Sequence, residues 1–407
     1  MKNQAHIWKE EKTEADGSIT IAAIIEDSKQ SKTSVWYRVP AEHSSKITKS
    51  WDPLVVGTIF WGMKKGADLH FHGEVSPSLL RNLEKLQIIW SCWAPKSFKT
   101  IDVIADQEIE QQGADDSAGD IMAFSGGVDA CFTAFRHATN RCGRLNRNLK
   151  AGLMIHGVEI PLKQKEVFER AYKNSEAILD SLGVELITMA TNFKALSLGP
   201  DAFAGMAGSC LMLFQGTYKA GLISSSEPYQ ALVTPWGTHP LTDPLVSSDA
   251  FEIIHDSADF TRTQKIAMLG NWPEALSRLR VCWYGPQNQS NFEGLNCGRC
   301  EKCVRTILNL RVVGLPLPES FDQDISDAHI SSLRHLDPTQ TNEFQQILIE
   351  AEKAGISDSW VNALKLCLWR NRLEAKLRTL WYPIKNTIYN LLPGLKKQKQ
   401  KTSIWKP

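Results

Sequence analysis

No run of apolar residues in this sequence approaches membrane-spanning length, so no transmembrane segment is expected. The start, Met1-Lys2-Asn3-Gln4-Ala5-His6-Ile7-Trp8-Lys9-Glu10, lacks the apolar core of a signal peptide, and the nine cysteines show no secreted disulfide framework. A cytoplasmic protein with reduced thiols is the expectation. An excess of charge of either sign is missing too: the formal net charge is +1, without the surplus of a dedicated nucleic-acid binder. With 43% hydrophobic residues the composition is that of an ordinary soluble globular protein. At 407 residues the chain is too long for one ordinary core and suits two domains, or one with substantial additions.

What is present is most informative at Ser125-Gly126-Gly127-Val128-Asp129, set between the apolar run Ile121-Met122-Ala123-Phe124 and the helix-like Ala130-Cys131-Phe132-Thr133-Ala134-Phe135. The stretch reads as strand, glycine turn and helix start. Adjacent glycines let the backbone approach a ligand, and a helix N-terminus adds partial positive charge, so the pattern suits phosphate. No Gly-Lys-Ser/Thr follows, which excludes a Walker loop, and no third glycine opens the helix, which excludes the dinucleotide fingerprint. The alternative is a polar turn.

Cys297-Gly298-Arg299-Cys300-Glu301-Lys302-Cys303 places three thiols at spacings that can converge on one metal, and Cys282 can supply a fourth. Four thiolates in tetrahedral array are what structural zinc prefers. The intervening Gly285-Pro286-Gln287-Asn288-Gln289-Ser290 is turn material suited to folding Cys282 back.

The glycine stretch resembles the Ser-Gly-Gly-x-Asp-Ser loop of the PP-loop ATP pyrophosphatases. Together with the late cysteines, the chain is similar to 7-cyano-7-deazaguanine synthase and its relatives over about residues 118 to 315. Leu153-Met154-Ile155-His156-Gly157 resembles the family's second strand and the small-residue end that lies against adenine. Thr261-Arg262-Thr263-Gln264-Lys265-Ile266 resembles its threonine-lysine helix start, and Cys303-Val304-Arg305-Thr306 its cysteine-then-arginine ending. Ala130 stands where the family usually has a serine, the gap from Cys282 to Cys297 is wide, and a large N-terminal segment precedes the matching part. The chain thus reads as a divergent member.

The resemblance implies an α/β fold: a parallel-sheet nucleotide-binding core, adenine nucleotide alpha hydrolase-like, with a zinc knuckle. It implies ATP, Mg2+ and Zn2+ as cofactors. Ser125, Gly126, Gly127, Val128 and Asp129 would bind nucleotide with His156, Gly157 and Ser225. Ser125 would donate to the departing pyrophosphate, and Asp129 would order the loop or a magnesium ion. Cys282, Cys297, Cys300 and Cys303 would hold zinc. The implied activity is that of an AMP- and pyrophosphate-forming carbon-nitrogen ligase, which adenylates an acceptor, a carboxylate in the synthase, and then forms an amide or nitrile. The acceptor would be a small molecule or a modified protein; a homodimer is allowed by the sequence and not specified by it. Two rival readings are a sulfur-transfer PP-loop enzyme acting on tRNA and a non-catalytic nucleotide-binding partner protein.

Three domains are expected. Residues 1–115 read as β-rich α+β, with strands in Ile19–Ile25, Ser34–Val39 and Thr100–Ile104 and helical spacing over Ser78–Leu86. Trp51, Trp61, Trp90 and Trp93 read as core. Alternation puts His70 and His72 on one strand face, where two imidazoles could hold a metal; with no third ligand visible, a half-exposed face is the reading. The polar stretch Gln107–Ser117 reads as linker. Residues 118–315 then alternate strand and helix, with a helix over Pro161–Leu182, a strand over Val184–Met189, a helix-like stretch over Ala202–Tyr218 and a strand over Ala220–Ser226. Ser125, His156 and Ser225 would meet at the carboxyl ends of such strands.

Trp236-Gly237-Thr238-His239-Pro240-Leu241-Thr242-Asp243-Pro244-Leu245 joins rigid turn residues to a titratable pair. His239 and Asp243 read either as catalytic contacts to acceptor or phosphate, or as parts of a proline-pinned turn. Residues 316–407 read as a helical extension, with Trp360, Leu364, Leu366, Trp369, Leu373, Leu377, Leu380 and Trp381 at helical spacing and the basic run Lys396–Lys401 as a solvated tail.

Overall fold

Alternating burial organises the first strands. In β1 (Gln4–Thr13) Ala5 and Ile7 are buried while His6 and Trp8 take the opposite face, and in β4 (Asp68–Val75) Leu69 and Phe71 are buried while His70 and His72 do the same. β1 and β4 pair directly, with β2 (Ile19–Glu26) and β3 (Lys32–Val39) beyond β1 and β5 (Val103–Glu108) beyond β4. The inner face is covered by α1 (Asp52–Lys65) and α2 (Pro77–Trp93). Trp61 and Trp90 are buried there and Trp51 and Trp93 half-buried, in keeping with a core role; Trp90 meets Phe60 edge-on at 5.6 Å. The computed structural model describes residues 3–115, 117–232, 235–282, 294 and 296–391, with side chains to 377. The link 285–290, the basic run 396–401 and the side chains of Leu380 and Trp381 lie outside the described residues.

The next strands are short and apolar, as strands covered on both faces must be. They are β6 (Asp120–Ala123), β7 (Leu149–His156), β8 (Glu185–Thr191), β9 (Ala220–Ser224) and β10 (Glu252–Asp256). Helices α3 (Val128–Ala138), α4 (Lys165–Asp180), α5 (Phe203–Met212), α6 (Arg262–Leu269), α7 (Pro273–Arg278) and α8 (Glu301–Val312) alternate with or follow them. The expected helix over 202–218 is therefore shorter, ending at Met212.

All ten strands form one sheet in the order β10-β9-β6-β7-β8-β3-β2-β1-β4-β5. The pairings are parallel except along β8-β3-β2-β1. The two halves meet where β3 pairs antiparallel with β8 at Tyr37↔Thr191 and Arg38↔Ala190. Asn192 reinforces that seam, accepting from the Trp36 N–H at 2.8 Å and donating to the Ser34 carbonyl at 3.0 Å. Behind it the buried Tyr37 hydroxyl donates to Ser209 Oγ at 3.0 Å and fills the space beside Gly57, where an added Cβ would lie 2.2 Å from it. Gly57 of α1 thus lets a strand of the first half reach a helix of the second.

This arrangement differs from the three expected segments. Met1–Asp324 forms one compact unit and Ile325–Pro407 a second. The stretch 107–117 is not a domain linker: β5 runs into it, and the backbone continues to β6 in the same sheet. The sequence conceals this because pairing of β3 with β8 depends on residues more than a hundred positions apart. In the second unit α9 (Asp327–Ser332) and α10 (Pro338–Lys353) pack against α11 (Ser359–Leu391). Trp360, Leu364, Cys367 and Leu368 are its buried stripe, whereas Leu366, Trp369, Leu373 and Leu377 are exposed, so the apolar positions that share one period divide between two faces.

Candidate functional site

Strand β6 leads into the buried Phe124, and the chain turns through Ser125, Gly126 and Gly127 into α3. Gly126 has φ +72°, a left-handed conformation that a side chain disfavours, while Gly127 is extended and stands as the N-cap of α3. Lacking a side chain, Gly127 caps nothing, so the helix presents its first N–H groups and partial positive charge at the loop. Helix α3 is pinned from below: Thr133 Oγ1 donates to Asp256 Oδ2 at 2.8 Å and His137 Nε2 lies 3.2 Å from Asp256 Oδ1, on β10. Ala130 is buried.

Asp129, in the first turn of α3, faces two cations. Arg262 Nη2 lies 2.8 Å from Oδ2 and Lys265 Nζ 3.1 Å from Oδ1. Three-residue spacing puts both on one face of α6, which starts at Thr261 with a capping box closed by Gln264. Burial acts to raise the Asp129 pKa, but the charges of Arg262 and Lys265 outweigh it and hold the carboxyl below its ordinary value. Lys265, only 1% exposed, also donates to the Ser225 carbonyl at 2.6 Å. It therefore joins the carboxyl ends of β6 and β9 through one ammonium group.

A second clamp comes from Arg280. Its backbone N–H donates to the Gly126 carbonyl at 2.8 Å, its Nε to the Ser125 carbonyl at 3.3 Å, and its Nη2 pairs with Glu159 beyond β7. Burial acts to raise the Glu159 pKa, but Arg280 and then Lys302 pull it below the ordinary carboxylate value. Lys302 and Arg305, from the first turns of α8, act on Glu159 and Asp129 respectively. Glu159, Arg280 and Lys302 belong to no motif that carries phosphate chemistry in the sequence; only the helix start 261–266 signals the cations that meet Asp129.

The four cysteines Cys282, Cys297, Cys300 and Cys303 form a group whose sulfurs lie within 4.8 Å of one another. Sγ separations are 3.7 Å for Cys282–Cys300, 3.9 Å for Cys297–Cys303 and 3.5 Å for Cys300–Cys303. Sulfurs about 2.3 Å from a tetrahedral zinc would be about 3.8 Å apart, so the set could hold zinc with little adjustment. The group is wired to the glycine loop. Asn296 Oδ1 accepts from the N–H groups of Val281 at 2.8 Å and Cys282 at 3.2 Å, and its Nδ2 donates to the carbonyls of Leu279 at 2.7 Å and Ser320 at 2.8 Å. The segment that positions Arg280 is thereby fixed on both sides.

His156, Gly157 and Ser225 stand at the carboxyl ends of β7 and β9, as expected of them, with their polar groups turned inward. His156 Nε2 donates to the Pro161 carbonyl at 3.0 Å and its ring stacks on Phe168 at 4.3 Å; burial lowers its pKa. Gly157 has φ +102°, and a Cβ there would meet the Thr191 carbonyl at 2.0 Å. Ser225 Oγ donates to the Glu227 carbonyl at 2.6 Å, leaving its own carbonyl for Lys265. His239 and Asp243 are bound to each other and to a different neighbour. The His239 N–H donates to Asp243 Oδ1 at 2.8 Å, and Asp243 Oδ2 lies 2.7 Å from Nδ1 of the nearly buried His255. The His239 ring packs on Trp93 at 4.9 Å, and among the described residues neither side chain has a hydrogen bond or ion pair with residues 125–129.

The arrangement can bind an anion: backbone N–H groups at a helix start, a glycine turn without side chains, and a surround of Arg262, Lys265, Arg280, Lys302 and Arg305. Neither a family model, a curated protein nor a solved structure matches this chain.

Proposed function

We propose that the chain is an ATP pyrophosphatase of the PP-loop kind, with an adenine nucleotide alpha hydrolase-like core, that activates an acceptor by adenylation and releases pyrophosphate. The observation that carries this reading is the clamped loop: Ser125-Gly126-Gly127 at the end of a parallel strand, its carbonyls held by Arg280 and its first helical carboxylate by Arg262 and Lys265. Charge that develops on a departing pyrophosphate would meet donors already in place, at little reorganisation cost. No lysine of the Walker kind is present to position a γ-phosphoryl transfer.

In this reading Gly126, Gly127 and the start of α3 receive the phosphates, and Ser125 donates to them. Both oxygens of Asp129 face cations, which favours ordering of the loop over direct magnesium binding; magnesium bound with ATP supplies neutralisation of phosphate charge. His156 and Gly157 end the strand beside the adenine, held away from chemistry by the contact to Pro161. The thiol group fits zinc, which supplies a structural brace for residues 279–282. His239 and Asp243 act through turn structure. A small molecule or a modified protein is the acceptor and a carbon-nitrogen bond the product, formed in the cytoplasm.

Product analysis tests the reaction class. Incubated with ATP, Mg2+ and candidate carboxylates, including 7-carboxy-7-deazaguanine, the protein is expected to release AMP and pyrophosphate. ADP as the sole nucleotide product overturns the reading. Tight ATP binding without turnover on any acceptor moves it to a non-catalytic nucleotide-binding partner.

A further inference from the structure

We propose that His6, His70 and His72 form a second metal site, for a divalent transition-metal ion such as zinc, on the open face of the sheet and independent of the cysteine group. Their nitrogens form a set within 4.8 Å of one another, although the residues come from β1 and β4, more than sixty positions apart. Register brings them together. β1 and β4 pair in parallel with His6 directly opposite His70, and strand alternation returns His72 to the face of His70.

The chemistry of the set suits borderline metals, for which imidazole nitrogen is the commonest ligand. His6 Nδ1 and His72 Nε2 face each other at 2.9 Å. Nitrogens about 2.0–2.1 Å from a tetrahedral zinc would be about 3.3 Å apart, so a small opening of this pair admits the ion. Asp106, on the adjacent β5, holds the outer shell: its Oδ1 lies 2.8 Å from His70 Nε2 and its Oδ2 3.4 Å from His72 Nδ1. A carboxylate on the second nitrogen of a histidine fixes tautomer and ring direction and makes the first a better donor. Trp8 stacks on His72 at 3.8 Å and limits its rotation. All three histidines are half-buried, so solvent reaches the ion and a fourth position stays open to water or to a donor from a bound molecule.

The test uses the full chain without a histidine tag, stripped with chelator and titrated with Co2+, with bound metal counted by elemental analysis. Thiolate-to-cobalt charge-transfer absorption reports the cysteine group; binding without that absorption reports the histidines. The wild type is expected to take about two ions, and His70→Ala and His72→Ala each about one with the charge-transfer band intact, one ion per site being the rule for such ligand sets. Cys300→Ser loses the band and keeps the other ion. Asp106→Asn, which removes no nitrogen ligand, weakens the band-free ion roughly 10- to 100-fold. Circular dichroism checks that each variant folds, and Trp8 fluorescence gives a second readout, quenched by the band-free ion and lost in Trp8→Phe. A wild type that binds no band-free ion, or His70→Ala and His72→Ala that both keep it, overturns the site and leaves three hydrogen-bonded rings on a strand face.

Discussion

Asp129 and Asp243 are both turn carboxylates that the sequence offers as candidates for chemistry, and their surroundings are opposite. Asp129 has a cation on each oxygen, Arg262 at 2.8 Å and Lys265 at 3.1 Å. Asp243 has one imidazole, His255 at 2.7 Å, and the backbone N–H of His239. Burial favours the protonated form of both. At Asp129 the two cations win and the pKa falls; at Asp243 burial wins over His255 and the pKa rises. A carboxylate kept charged among several cations beside a glycine loop leaves surroundings that suit an anion, whereas one that burial drives toward neutrality ties a turn to its strand.

The largest test of that contrast removes the brace on the first region alone. Cys300→Ser should cost the cysteine-bound metal and destabilise the protein by more than about 4 kcal/mol, since loss of a structural metal is among the few single changes of that size. ATP affinity should fall with it, because Cys282 and Asn296 fix the segment that carries Arg280. Full metal retention measured by elemental analysis would remove the link between thiols and loop. Next in size is Gly127→Val. A Cβ at Gly127 would lie 3.3 Å from Ser125 Oγ and 3.4 Å from the Arg280 carbonyl, close but tolerable, and its φ of −86° suits any residue. The fold should therefore survive while the valine methyls occupy the cradle, weakening ATP at least about 100-fold, or about 2.7 kcal/mol, by calorimetry. Unchanged affinity would mean that the loop does not hold phosphate.

The two carboxylates can be set against each other directly. Asp129→Asn removes the negative charge that faces Arg262 and Lys265 and should cost about 1.5–3 kcal/mol at neutral pH, against about 1 kcal/mol for Asp243→Asn, which keeps an acceptor in place. Their pH dependences should have opposite signs. The folded pKa of Asp129 lies below its unfolded value of about 3.9, so its contribution is complete above that value and is lost as pH falls through the folded pKa. The folded pKa of Asp243 lies above its unfolded value, so its contribution is complete at low pH and is lost as pH rises through the folded pKa. Denaturant melts of the wild type and both variants from about pH 3 to 8 should show the Asp129→Asn gap widening with pH and the Asp243→Asn gap closing. Gaps that move together would break the comparison.

Features that neighbours in sequence specify were legible. The strand before Ser125, the turn at Gly126-Gly127 and α3 follow from a short apolar run, two glycines and helical spacing, and the spacing of Cys297, Cys300 and Cys303 announces its convergence. Features set by register were not. Nothing near Tyr37 says that β3 pairs with β8, so the boundary expected between 115 and 118 falls inside one sheet. Nothing near Leu69–Gly73 says that His6 lies opposite His70. Arg280 and Glu159 are likewise 121 positions apart, and the segment that carries Arg280 is held by Asn296, 15 positions beyond Val281.

The smallest expected effect separates side chain from backbone at Ser225, the third residue expected to meet ligand. Its hydroxyl donates to the Glu227 carbonyl at 2.6 Å, whereas the contact with Lys265 is made by its own carbonyl at 2.6 Å. Ser225→Ala should therefore cost only about 1 kcal/mol of stability, the net value of one hydrogen bond, and leave ATP affinity within about twofold. Lys265→Met, of similar length but without charge, should remove together the contact with the Ser225 carbonyl and one of the two counter-charges of Asp129, with a loss of ATP affinity far above that of Ser225→Ala. If Ser225→Ala instead abolishes ATP binding while thermal stability is kept, the hydroxyl turns from Glu227 to the nucleotide, and the side chain, not the backbone, is what β9 contributes to the site.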